Sequence, residues 1–169
     1  MCKLKVTDFY YGSFLSAFLN NPSCRPSLFD DSEARNIFRL ETDNCQEGYI
    51  FFAKFVSKKA PDMKNRWHWT FQFSDAEVTK LKELSQQCSN VKLALICAKD
   101  GLKDSELAIV DYDQAMDCLG VAAGLRTYKI DIKTIPGQHG LRMYGSGRSD
   151  KLNGNDNTLS VSRQELSQL

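Results

Sequence analysis

The chain is poor in histidine. Only His68 and His139 occur in 169 residues, so no His-rich metal centre can be assembled. Six cysteines stand at positions 2, 24, 45, 88, 97 and 118, no two closer than nine residues. The absence of any C-x-x-C pair excludes zinc-ribbon and zinc-finger spacing. No run approaches the roughly 18 apolar residues of a membrane span. Charge of one sign is not in excess either. Lys plus Arg number 22 and Asp plus Glu 21, a net charge of +1, so global electrostatics nominates no partner.

Motifs for covalent or phosphate-loop chemistry are missing as well. Gly145-Ser146-Gly147 lacks the flanking residues of a G-x-S-x-G elbow, and Asp150 stands where a G-x-G-x-x-G loop needs its third glycine. Asn153, Asn155, Asp156 and Asn157 imitate a calcium loop, but the required glycine and distal glutamate are absent. No cofactor and no metal site are expected.

What is present describes a globular protein. Hydrophobic residues make up 42% and charged residues 25%, and a chain of this length buries about two-thirds of its unfolded surface. Such a core needs no disulfides, so free thiols and a cytoplasmic location are expected. Lys3 and Lys5 before the apolar run 9–19 imitate a signal peptide, but Asp8 interrupts it. Tyr10/Tyr11, Phe14/Leu15 and Phe18/Leu19 recur every four residues, the period of a helix. Asn20-Asn21-Pro22 ends it, and a loop with Pro22 and Pro26 follows.

Strand and helix signals then alternate irregularly. Residues 36–41 and 49–56 read as a hairpin about the turn 43–48. Trp67, Trp69, Phe71 and Phe73 share one face of a strand, and His68, Thr70 and Gln72 the other. This aromatic row is expected in the core. Ser74-Asp75-Ala76-Glu77 is a capping box opening a helix whose apolar stripe is Val78, Leu81, Leu84 and Cys88. Residues 91–98 make a strand buried on both faces, and 106–110 another. Asp111 with Gln114 repeats the cap, and Gly120 closes the third helix. Strands at 126–132, 141–144 and 158–162 complete the chain. The expectation is one α+β domain over residues 1–169, with three helices and a mixed, largely antiparallel sheet of about six to eight strands.

This order resembles the core of restriction-endonuclease-like folds over about half the chain. Such nucleases hold a metal with an acid on one strand and an acid-x-Lys on the next. Here Lys54 takes the lysine position and Glu41 or Asp43 the first acid, but the second acid is replaced by Phe52. The resemblance is therefore topological. Lys54 is read as an edge or ion-paired lysine. His68 is read as a hydrogen-bonded structural residue, because its neighbours Thr70 and Gln72 are not acids.

Local charge is informative where the total is not. Segment 54–66 carries Lys54, Lys58, Lys59, Lys64 and Arg66 against Asp62 alone. Segment 126–151 carries Arg126, Lys129, Lys133, Arg142, Arg148 and Lys151 against Asp131 and Asp150. Segment 100–117 is the converse, six acids against Lys103. Five of the ten glycines fall in or just beyond the second basic region, four of them, at 137, 140, 145 and 147, inside it and Gly154 three residues past its end. A Gly-rich basic loop over 133–157 is expected, with backbone N–H groups forming an anion nest and Tyr144 offering a stacking face.

These features point to a non-catalytic module that binds nucleic acid or another phosphate-bearing ligand through two basic loops. The contacts would be Lys58, Lys59, Lys64 and Arg66 from one loop, and His139, Arg142, Arg148 and Lys151 from the other. The alternative is a protein-interaction or inhibitor domain, with Asp104, Glu106 and Asp113 as the contact surface. A third reading is a hydrolase, or a degenerate restriction-endonuclease-like domain, using His68 or Lys54. No membrane partner is expected.

Overall fold

In the computed structural model, which describes residues 3–29, 36–63 and 65–162, the chain begins with α1 (Val6–Leu19) and continues through β1 (Cys24–Leu28), β2 (Ile37–Thr42), β3 (Cys45–Lys58) and β4 (His68–Phe73). Next come α2 (Asp75–Gln87), β5 (Val91–Lys99), β6 (Glu106–Asp111) and α3 (Tyr112–Leu119). It ends with β7 (Tyr128–Thr134), β8 (Leu141–Gly145), β9 (Lys151–Leu152), β10 (Asn155–Asp156) and β11 (Leu159–Val161). The α+β class and the three helices are as expected. The strands are divided between a five-stranded sheet, β1-β2-β3-β5-β6, a four-stranded sheet, β11-β8-β7-β4, and the ribbon β9-β10.

The division follows from hydrophobic patterning. β3 and β5 are apolar on both faces, so they need cover on both sides. They pair in parallel at the centre of the five-stranded sheet. On one side Tyr10, Phe14 and Phe18 of α1 pack on Phe38, Phe51 and Phe55. On the other side lie α2, α3 and the four-stranded sheet, with one core running between them. β4 alternates strictly, so it has only one face to bury. Its Trp69 and Phe71 are fully buried, and the Trp69 indole donates to the Ala98 carbonyl at 2.9 Å, joining the two sheets.

The Ser74 and Glu77 cap on α2 is formed in both directions. The second cap differs. Asp111 makes no side-chain bond to α3 and instead accepts from Lys92 Nζ at 2.6 Å. β1 lies where a two-proline loop was expected. It is the edge of its sheet, the position at which a strand proline is tolerated.

The 133–157 region is not an open loop. It comprises the end of β7, β8 and the ribbon, whose Asn153-Gly154 turn has φ of 51° and 81°, as a tight hairpin requires. Gly145 and Gly147 are packing glycines. A Cβ on Gly147 would lie 2.2 Å from Gly120 Cα, and one on Gly145 2.2 Å from the Lys129 carbonyl oxygen. Their N–H groups are already spent: Gly145 donates to Arg148 O and Gly147 to Cys118 O. No anion nest is formed there. The described cysteines, Cys24, Cys45, Cys88, Cys97 and Cys118, are all free.

Candidate functional site

Because Trp69, Phe71, Ile130, Ile132, Leu141 and Met143 point into the core, the alternate residues of the same strands form the outer face of the four-stranded sheet. Register then fixes who stands beside whom. One row crosses all four strands as His68, Lys133, Arg142 and Ser160. The next contains Thr70, Asp131 and Tyr144.

Asp131 anchors the face. It is 1% exposed, accepts from Thr70 Oγ1 at 2.5 Å and lies 2.9 Å from His68 Nε2, with Lys129 Nζ 3.3 Å from its second oxygen. Burial alone would push its carboxyl up. The bonds from His68 and Thr70, with the Lys129 charge, outweigh that and hold it below the usual Asp range.

His68 sits between two carboxylates, Asp131 at Nε2 and Asp62 at 3.3 Å from Nδ1, and the Tyr144 hydroxyl lies 3.2 Å from Nε2. It is a hydrogen-bonded residue, as expected, but the carboxylate at its Nε2 is 63 positions away in sequence. Both ring nitrogens are therefore engaged by groups of the protein itself. Tyr144 is held too. Its hydroxyl meets His68, and Lys133 Nζ lies 4.9 Å from its ring centroid, leaving less of a stacking face than the sequence suggested. Burial, then the charges of Asp131, Asp150 and Asp62, push its phenol up to about 12, with Arg66 opposing.

The two basic segments meet on this face. From the first, Asp62 touches His68 and also holds Lys58. From the second come Lys133, Arg142 and the ribbon. Lys133 pairs with Asp150 at 3.5 Å, and Arg142 with Asp156 at 4.0 Å. The individual candidates fare differently. Lys58 is bonded to Asp62, whose carboxyl is lowered chiefly by that bond. Arg148 is committed to structure, donating to Asp117 Oδ2 at 2.6 Å and to Asn157. Lys59, Arg66, His139 and Lys151 are exposed and have no side-chain partner among the described residues. Lys64 lies outside the described residues. Lys133, central to the row, was not singled out from sequence, although its charge was counted.

The acidic candidates do not form one patch. Asp104 and Glu106 stand at or before the start of β6 and Asp113 in the first turn of α3, past the other end of the strand, and β6 itself spans roughly 17 Å at strand rise. Lys54 is ion-paired with Glu77 Oε1 at 2.5 Å on a central strand and packs over the Phe73 ring. Among the described residues no group of His, Cys, Asp and Glu is disposed to hold a metal, and no helix is long and apolar enough to cross a membrane. No protein-family model, curated protein or solved structure matches the chain.

Proposed function

We propose that the chain is a non-catalytic module that binds a phosphate-bearing polymer of the nucleic-acid class on the outer face of its four-stranded sheet. One observation carries the reading: Lys133 and Arg142 are direct cross-strand partners on that face. Adjacent cations on a rigid sheet suit successive phosphates, with Arg supplying bidentate grip. A fixed sheet also presents them without a folding cost at binding.

Salt dependence is the direct test. Fluorescence anisotropy of labelled single-stranded and duplex oligonucleotides should show binding that weakens linearly in log salt, with a slope of roughly −2 to −4.5 for three to five neutralised phosphates. Failure to bind either probe at low salt would remove the reading.

A second reading has its own observation. A groove of about 350 Å³ between α1 and the β5–β6 pair is lined by Phe9, Tyr10, Phe14, Ile96 and Leu107. Phe9 and Leu102 at its edge are 58% and 53% exposed. Glu106 is part of its lining, which supports a protein partner docking there. Pull-down against Phe9→Asp as control would separate this reading from the first, since Phe9 is remote from the basic row.

A further inference from the structure

Like charges placed directly opposite in a sheet destabilise it unless something neutralises them. Lys133 and Arg142 are such a pair. Two carboxylates answer them, both from the base of the β9–β10 ribbon. Asp150 Oδ2 is 3.5 Å from Lys133 Nζ, and Asp156 Oδ2 is 4.0 Å from Arg142 Nη1. These are loose pairs. Elsewhere on the surface Arg148 and Lys92 meet their carboxylates at 2.6 Å.

The acids are delivered by the ribbon's own bonding and not by the cations. Asp156 Oδ1 accepts from the Thr158 N–H at 3.0 Å and its hydroxyl at 2.7 Å, which leaves Oδ2 for Arg142. The Asp150 carbonyl accepts from the Asn157 N–H, and Arg148 clamps Asn157 from the other side. The ribbon is exposed throughout. Its carboxylates are the more solvated partners, 45% and 53% exposed against 18% and 27% for Lys133 and Arg142. An exposed, loosely held carboxylate over a more enclosed cation is readily exchanged for another anion.

We propose that Asp150 and Asp156 are built-in competitors for the anion site, and that ligand phosphates reach Lys133 and Arg142 by displacing them. This rests on the reading of the face as a polyanion site. The ribbon then sets the affinity. Single anions fail to displace both carboxylates, whereas a polymer with phosphates at successive positions does so.

The test is the double variant Asp150→Asn/Asp156→Asn, with Asp150→Asn alone as a second variant that leaves the Thr158 turn untouched. Asparagine at 156 retains an oxygen for the Thr158 bonds. The probe is a labelled mixed-sequence single-stranded oligodeoxynucleotide. The double variant should bind roughly three- to thirtyfold more tightly at low salt, with a salt slope steeper by about 1 to 2. Asp104→Asn/Asp113→Asn makes the same change of net charge away from the row and should gain much less. If the remote pair gains as much, or if the ribbon variants gain nothing while wild type binds, displacement is wrong and the polyanion reading survives. If neither wild type nor the ribbon double variant binds at low salt, both fall.

Discussion

Replacing Asp131 tests whether the polar face is a constructed unit or a scatter of surface groups. Asp131→Ala removes the acceptor for Thr70 and for His68, at 2.5 and 2.9 Å, from a residue that is 1% exposed. Hydrogen bonds to a charged group contribute about 1.5–3 kcal/mol each. Two in one network therefore set a loss of about 3–5 kcal/mol, not strictly additive. Asp131→Asn keeps the shape and loses the charge, so it should lose less. The pH dependence has a definite sign. Because the folded carboxyl sits below its unfolded value, its contribution is fully present above the unfolded Asp range near ~4. It is lost as pH falls from there through the folded value. Urea denaturation of wild type and Asp131→Asn, stepped from neutral pH into acid, should show the difference in stability shrinking through that window. A loss below about 1 kcal/mol for Asp131→Ala, or a wild type–Asn gap that does not change with pH, would refute the network.

Phe71 is fully buried in the core between the sheets, so Phe71→Ala should cost about 3–5 kcal/mol by chemical denaturation; under ~1 kcal/mol would mean the face is open to ligands. Gly147→Ala places a Cβ 2.2 Å from Gly120 Cα and should destabilise by about 1–3 kcal/mol, whereas an anion-nest role would affect ligand binding and leave thermal stability intact. Arg148→Glu sets a carboxylate against Asp117 and removes the clamp on Asn157, so it should lower stability by about 1–2 kcal/mol before any ligand is added.

Much of the fold was legible because the signals are local. The Ser74–Glu77 box, the alternation 67–73 and the terminating Gly120, at φ 72°, each act within a few residues. β1 was hidden because Pro22 and Pro26 mimic a loop, and only its place at the sheet edge makes Pro26 acceptable. The site is legible in part. The basic segments were visible as composition, but whether they meet depends on β4 pairing with β7 across more than 50 residues. That pairing gives His68 the carboxylate its own strand lacks. The glycines misled for the same reason: the contacts that require Gly145 and Gly147 come from Lys129 in β7 and from the C-terminal end of α3 with Gly120 beyond it, all distant in sequence.

Lys133 and Arg142 are the two cations on which binding at this face depends. Lys133→Gln/Arg142→Gln removes both charges from the row, and Lys103→Gln/Arg126→Gln removes two from elsewhere as the control. By anisotropy at low salt, the row variant should lose at least about tenfold in oligonucleotide affinity, with a salt slope shallower by about 1 to 2. The control should stay within about threefold of wild type. Equal losses in the two variants would mean attraction by net charge alone, and an unchanged row variant would contradict the placement of the site on this sheet face.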